Sequence, residues 1–538
     1  MRQQQNCGVL GKSVAAAVSA LAGVLVLGAC TSSVGGTGDA SGTWTIGYVS
    51  EPADPAAAID GGTLTFGSYS FPRSLDPLET QISGSTGGTE LAAIYDVLVR
   101  RDSGSEEYVP QLAESFDASE DGMLWRVVLP EQLTFSDGSP LDAAAVRWSM
   151  ERFSGSYASG VQTWNHLVES VTVADDRTVE IRLTRPWQDF PSQLATGPGM
   201  IVAQSAEAGE RFVPVGAGPF TVRRFAVNEE LALDAREDYS GGRPHLDGVR
   251  FVPSQGSQMQ FDSLRSGQLD MTYLLRDPAV IEQIEAAGWP GYRDTQGQGA
   301  IAFINQRAGR PGEDVRVRQA IALAVDPEVI NQRATQGKGE ASAEIFPTTS
   351  KWHSAVEPLP VNPKLARDLL AEAKAEGYDG KLTYVTVAEP SAQAAALATQ
   401  AMLGAVGFEV TIDYTNSVTD LVRRLYADHD FDIARGGLNL IDDAPYLRLY
   451  DGLGSDSGDN ASGYANLVMD GLLEDLLVAQ SDEERQEIID QIQRQVNETL
   501  PYLVWGPAQV RVVWTEQVHG VDRTVDNILL LDDAWKSK

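Results

Sequence analysis

The sequence predicts an α/β protein of two lobes or more, and three observations lead there. Strand-like stretches, in which apolar and polar residues alternate, interleave with helix-like stretches along the chain. At 538 residues, with 43% hydrophobic and 22% charged content, the chain is globular and too long for one compact core. No internal repeat runs through it, and after the first thirty residues no apolar run is long enough to span a membrane.

The N-terminus reads as an export signal over residues 1–29. Arg2 and Lys12 precede an apolar run from Val14 to Leu27 that stops at Gly28 and Ala29 before Cys30. The run is shorter than the ~20 apolar residues of a membrane span. The tetrad Leu27-Gly28-Ala29-Cys30 resembles the lipobox of bacterial lipoproteins. That resemblance implies cleavage before Cys30 and a diacylglyceryl group on its thiol. The stretch from Thr31 to Gly42 is too rich in glycine and hydroxyl residues to pack, so residues 30–60 are expected to form a tether that ends in an extended leader. Cys7 leaves with the signal, and the mature chain keeps only Cys30, so no disulfide or cysteine metal cluster is expected.

The domain proper begins at Gly61, where alternation up to Tyr69 marks a half-buried strand that Phe71 to Pro77 ends. Trp125 to Leu129 is a second strand, closed by Pro130. Asp142 caps an alanine-rich helix that runs to Phe153. Strands follow at Val171 to Val173, Thr178 to Leu183, Phe220 to Phe225, Leu231 to Ala235 and Val249 to Val252. Gly216 and Gly218 suit a tight turn before one of them, and Asp238 to Gly242 reads as a polar turn. Helical periodicity marks Val315 to Val325, Pro363 to Glu376, Ser391 to Val406, Val418 to Ala427, Leu467 to Ala479 and Asp482 to Thr499. In the first of these, Val315, Val317, Ala320, Ile321 and Ala324 form the apolar face while Arg316 and Arg318 splay outward.

Acidic residues number 75 against 41 basic ones, a formal net charge of −34. Such a chain is not expected to bind nucleic acid or anionic lipid non-specifically. The five histidines, His166, His245, His353, His429 and His519, show no close pairing. No nucleophile elbow, Walker loop, His-Glu-x-x-His pair or complete dinucleotide fingerprint occurs. Neither an enzyme nor a resident metal or cofactor is expected.

The stretch from Leu133 to Phe153 resembles the peptide/nickel-type solute-binding proteins of ABC importers, family 5. Four further stretches fit the same family in the same order: Tyr108 to Gly122 with Trp125; Gly216 to Phe220 with Arg236 to Val249 and Leu264 to Asp270; Phe303 to Asn305 with Asp314 to Asp326; and Phe431 to Arg435. The resemblance implies a periplasmic-binding-protein-like fold whose two lobes close on solute at a hinge. It implies lobe one at 61–300, with an extra subdomain near 90–215, lobe two at 301–505, and a return to lobe one over 506–538.

For a peptide ligand, each terminal charge buried without a partner costs ~1–3 kcal/mol, so acids and an arginine should share one cleft. The resemblance points to Phe431 to Pro445, where Arg435 would meet a ligand carboxylate and an acid a few residues later the α-ammonium. An ungapped match puts Ile441 at the acid's place, leaves Asp442 and Asp443 one and two positions late, and replaces the usual tryptophan by Leu438. Either the loop is shifted by a residue or the ligand lacks a free amine; the alternative for Asp442 and Asp443 is a solvated turn. Asn439 in the same loop, Ser85 and Thr86 in the glycine-rich loop after the first strand, Tyr69 at that strand's end, and an exposed Trp352 in a covering loop complete the candidates.

The expected protein is thus a monomeric, lipid-anchored receptor on the extracytoplasmic face of the membrane that delivers small oligopeptides to an ABC permease. The alternatives are the same fold with a nickel chelate, an oligosaccharide or a siderophore-like compound, or a signalling lipoprotein without transport.

Overall fold

The computed structural model describes residues 44–50, 53–254 and 256–538. Cys30, the signal and the expected tether up to residue 43 lie outside the described residues, whereas over 44–48 the chain is no free tether: Gly47–Tyr48 pairs with the strand Gly291–Ile304 and Trp44 Nε1 donates to Thr295 Oγ1 at 2.8 Å. Strands are numbered here as β1 Thr63–Ser68, β2 Ser115–Ala118, β3 Leu124–Val128, β4 Val168–Asp175, β5 Thr178–Leu183, β6 Phe220–Ala226, β7 Glu230–Ala235, β8 Gly248–Pro253, β9 Met271–Leu275, β10 Gly291–Ile304, β11 Lys381–Val387, β12 Glu409–Thr415, β13 Ile433–Gly436 and β14 Tyr502–Trp514. The helices used below are α1 Gly88–Tyr95, α2 Ala143–Ser154, α3 Val161–Leu167, α4 Val315–Ala324, α5 Pro390–Val406, α6 Pro445–Leu453, α7 Leu467–Val478 and α8 Asp482–Thr499.

Ten of these strands form one continuous sheet in the order β12-β11-β13-β10-β14-β9-β1-β8-β7-β6, with the short strand Gly47–Tyr48 joined to β10. Parallel triplets flank the middle, β12-β11-β13 on one side and β9-β1-β8 on the other. We refer to the β1 side as lobe one and to the β11 side as lobe two. A separate antiparallel sheet, β2-β3-β5-β4, carries α2 across it. One apolar cluster, including Val317, Ile321, Leu370, Leu403 and Ile433, fills lobe two. A larger one runs from Leu64 and Phe66 of β1 through the separate sheet to α6, α7 and α8.

The two longest strands, β10 and β14, pair antiparallel and cross from one lobe to the other. Their register holds from Gly291↔Val513 to Gln296↔Ala508, breaks on either side of Ala300, and resumes at Ile301↔Val504. The break lies where side chains would not fit. A Cβ on Gly299 would stand 2.2 Å from the Ala508 Cβ, and one on Gly506 would stand 2.4 Å from the Glu340 carbonyl oxygen.

Local chemistry explains the surrounding elements. Asp142 Oδ1 accepts the Ala145 N–H at 2.9 Å and starts α2, whose Val146, Met150 and Phe153 face the core. Ser481 caps α8, three acids occupy its first turn, and Ile488, Ile492 and Val496 are buried. In β1, Leu64 and Phe66 point into the core while Thr63 is exposed.

Several expectations need correction. Arg318 does not splay outward: it is buried and donates to the Thr499 and Gly312 carbonyls at 2.7 and 2.8 Å, while Val315 is exposed. Free carbonyls at neighbouring chain ends draw an arginine inward more strongly than the helical period predicts. Gly216 and Gly218 serve close packing, since a Cβ on either would lie within 3 Å of Ile94 backbone atoms. Tyr239 in the supposed polar turn is buried and donates to Asp96 at 2.6 Å. The strand character of β10 and β14 escapes pattern reading, because three glycines and the polar run Arg293 to Gln298 remove the alternation that marks a strand.

Candidate ligand cleft

Three backbone segments meet at the break in β10: the residues after β9, the stretch Gly297 to Gly299, and the loop after β13. Gly297 and Leu440 exchange both backbone hydrogen bonds, at 2.8 and 2.9 Å, and the Leu438 N–H donates to the Gln298 carbonyl at 3.1 Å. Arg276 ties lobe one to this knot: its Nε donates to the Gly299 carbonyl at 2.9 Å and its Nη2 to Asn439 Oδ1. Arg276, Gln298 and Asn439 have φ of 59°, 50° and 54°. Three non-glycine residues in the left-handed region of one hydrogen-bonded cluster, each costing on the order of 1–3 kcal/mol, mark a site that its surroundings over-determine.

Charge at this knot is positive. Arg435 projects from β13, opposite Ala302 of β10, and its recorded carboxylate neighbour is Glu389, 3.8 Å away with a side chain more than half exposed. Arg276 contacts neutral acceptors. Burial holds its guanidinium below the usual arginine range; Tyr69 opposes this shift and the nearby Arg435 adds to it. Tyr69, half exposed, stands with its ring 6.4 Å from that of Tyr273.

The acids of the same loop are engaged with the protein. Asp442 accepts from Ser350 Oγ at 2.6 Å and from the Lys351 N–H at 3.0 Å, and burial raises its carboxyl above the usual range. Asp443 lies 2.6 Å from Arg101 Nε and 3.8 Å from Arg523 Nη1, and its carbonyl accepts from Tyr108 Oη at 3.4 Å. Neither is a solvated turn residue.

Trp352 is buried rather than exposed: its Nε1 donates to the Asp442 carbonyl at 2.9 Å, so its indole anchors the loop from below. The Ser83 hydroxyl lies 3.2 Å from that of Ser85 and 2.7 Å from that of Thr86, and Thr86 also donates to the Gln81 carbonyl at 2.9 Å. This glycine-rich loop packs on the C-terminal return, with the Gly84 N–H on the Asp526 carbonyl at 2.9 Å.

A cavity of about 90 Å³ opens where α2, α3, the C-terminal return and the segment after β13 converge. Ile441, Arg448 and Asp451 line it together with Thr163, Ser192, Gln193 and Asp526. Arg448 Nη2 stands 3.0 Å from Asp526 and its Nη1 3.7 Å from Asp451. Asp526 also accepts from Gln296 Nε2 at 3.4 Å, and Asp451 from Thr163 Oγ1 at 3.1 Å. Burial raises both carboxyls to about 6, against the pull of Arg448. Arg276, Arg448, Asp451 and Asp526 were not singled out from sequence. In a chain with 75 acids no single one stands out, and Arg276 is marked only by its backbone conformation and its partners.

Residues 107–459 match the family model described as bacterial extracellular solute-binding proteins, family 5 Middle. The chain belongs to this family. The chain is also similar to the dipeptide-binding protein of Escherichia coli, at 25% identity over 505 residues, covering 86% of this chain and 93% of that one. Among solved structures it resembles the oligopeptide-binding protein AppA of Bacillus subtilis in complex with a nonapeptide, with a TM-score of 0.76, 22% identity, and coverage of 89% and 100%. It likewise resembles AgaA of A. tumefaciens in complex with agropinic acid, with a TM-score of 0.75, 24% identity, and coverage of 89% and 99%. This family 5 protein is therefore a two-lobed α/β extracytoplasmic solute-binding protein of an ABC importer, and not an enzyme. Among the described residues no helix is long and apolar enough to cross a membrane, and no group of three or more His, Cys, Asp or Glu could hold a metal ion.

Proposed function

We propose that this family 5 protein is a lipid-anchored receptor that captures small oligopeptides by lobe closure and hands them to the permease. The observation that carries the reading is the pair Arg276 and Arg435. Two guanidiniums stand close enough to influence each other at the strand crossing, with no buried carboxylate on either among the described residues, where Arg101 and Arg448 are by contrast paired with aspartates. A ligand carboxylate satisfies both, and planar guanidinium is well suited to it. The dipeptide-binding relative and the nonapeptide complex of AppA support a peptide as the bearer of that group. Tyr69 and Asn439 flank the site.

Closure works as a rotation of 301–505 against 61–300 and 506–538 about the two glycine-lined breaks in β10 and β14. Ligand favours the closed population to the extent that it binds that state better. The anchor on Cys30, with its two acyl chains, holds the receptor at the membrane. A Cys30→Ser chain is expected to be unprocessed or released; normal membrane retention rules the anchor out.

A second reading is a non-peptide carboxylate solute. It is favoured by Ile441 at the place of the expected acid, and AgaA, bound to agropinic acid, shares the fold. Calorimetry with tri-alanine and its C-terminal amide decides the matter. The acid is expected to bind and raise the melting temperature, the amide to bind far more weakly, and Arg435→Ala to erase the difference. If no peptide binds while a non-peptide acid does, the peptide reading is wrong.

A further inference from the structure

The leader between the anchor and the domain is laid along β10 over residues 44–48. Gly47 and Tyr48 pair with Arg293 and Tyr292, and the Val49 N–H donates to the Gly291 carbonyl at 2.9 Å. The Arg293 guanidinium lies over the Trp44 indole, 5.6 Å from the ring centre. Since β14 takes the opposite edge of β10, the leader and β13 share one edge, on either side of the break. Covering a bare strand edge is reason enough for the backbone pairing. The Tyr48 side chain does something that edge cover does not require. Its ring packs edge-on against that of Tyr292, with centres 5.2 Å apart, and its Oη donates to Asp522 Oδ1 at 3.2 Å. Burial pushes this hydroxyl up to about 12, so it is a donor throughout the physiological range.

Asp522 is a junction. Its Oδ2 accepts from Arg100 Nη1 at 2.7 Å, and its Oδ1 accepts from Ser103 Oγ at 3.1 Å and from the Arg523 N–H at 2.8 Å. The chain neighbours of this pair, Arg101 and Arg523, are the two cations of Asp443, and the Arg523 guanidinium lies 4.4 Å over the same Tyr292 ring that Tyr48 abuts. Arg101 and Arg523 come from segments far apart in sequence, joined by the Arg100–Asp522 pair and by the Arg101 N–H on Thr524 Oγ1 at 3.1 Å. Two charge pairs thus stand side by side: one is internal to lobe one and backed by Tyr48, and the next offers its cations across the cleft. We infer that Tyr48 is a positioning residue for closure: by holding Asp522, the leader fixes the seat that receives Asp443, and the segment coming from the anchor is a working part of the latch. Without the hydroxyl, Asp522 loses the donor that faces it from the leader and is free to turn toward Arg523, where it competes with Asp443. The inference rests on the closure reading above and adds residues 44–48 to the parts that closure uses.

The test is a double-mutant cycle on the full chain, combining Tyr48→Phe with Asp443→Asn and read by calorimetry and stopped-flow dissociation of tri-alanine. Tyr48→Phe keeps the ring on Tyr292 and the strand pairing and removes the hydroxyl alone. It is expected to weaken tri-alanine about tenfold, the worth of one hydrogen bond to a charged group, through faster dissociation at an unchanged association rate. Once Asp443→Asn has removed the latch, Tyr48→Phe should have almost no further effect. A residue that only supports lobe one would lower the melting temperature and leave dissociation alone, or speed it by the same factor in both backgrounds; either result overturns the inference and leaves the peptide reading standing. If tri-alanine does not bind the parent chain, the peptide reading falls, and small-angle scattering of the ligand-free chain decides the matter. A larger radius of gyration in both Asp443→Asn and Tyr48→Phe keeps the inference; any other result overturns it.

Discussion

The loop after β13 has two ends that treat charge in opposite ways. Arg435, in β13 where the loop begins, has the half-exposed Glu389 carboxylate 3.8 Å away, whereas Asp442 and Asp443 farther on are each already held by the protein. The held end reaches across to the Val99–Arg101 strand and to Arg523, so in the proposed function Asp443 latches the closed state and the other end meets the ligand. On that proposal the nine residues from Arg435 to Asp443 divide between latching the lobes and meeting the solute.

Breaking the latch should have the largest effect. Asp443→Ala strips Arg101 and Arg523 of a nearly buried partner and is expected to cost roughly 3–5 kcal/mol of closed-state stability. Small-angle scattering of the ligand-free variant should show a larger radius of gyration than the parent; an unchanged radius would separate Asp443 from closure.

A buried acid without a cationic partner gives the contrasting case. Glu90 of α1 is 2% exposed, accepts from Ser68 Oγ at 2.6 Å, and is raised by burial from 4.5 to about 7. Its folded value exceeds the unfolded one, so its contribution is full below about pH 4.5 and is lost as pH rises through 7. Glu90→Gln is expected to stabilise the protein by about 3 kcal/mol at pH 8 and hardly at all at pH 4. Denaturant melts at the two pH values check this, and equal gains at both would refute the protonation argument.

At the open end, Arg276→Gln should weaken tri-alanine about 10- to 100-fold, the worth of a charged hydrogen bond, and leave its C-terminal amide nearly unaffected. Equal losses for the two probes would make Arg276 a strut rather than a ligand contact. The smallest effect belongs to Asp442→Ala, which removes the acceptor of Ser350 and of the Lys351 N–H; about 1 kcal/mol of stability should be lost, with little change in peptide affinity.

Much of the scaffold could be read from residues alone. The Asp142 cap and the helical period over Asp482 to Thr499 place α2 and α8 within a residue of where they lie, and β5 runs from Thr178 to Leu183 as its alternation indicates. The hinge strands could not be read, because both of their faces are covered and their glycines and buried polar residues carry no period. Arg435 is proposed on its motif. Arg276 meets Asn439 163 residues on, Asp526 meets Arg448 78 residues back and Asp451 meets Thr163 288 residues back, and no local pattern encodes such meetings. Trp352 shows the reverse error: its residue type suggested a lid, and its hydrogen bond to Asp442 makes it a foundation.

The crowding at Gly299 has an evolutionary reading. A methyl group there would strike Ala508, so Gly299→Ala is expected to act as a wedge at the crossing while removing none of the proposed solute-contacting side chains. Apparent affinity falls by the fraction of molecules that remain able to close. A lineage adapting to richer or poorer surroundings can therefore retune how readily its receptor lets go by changes at this crossing, while the solute-facing side chains themselves are kept.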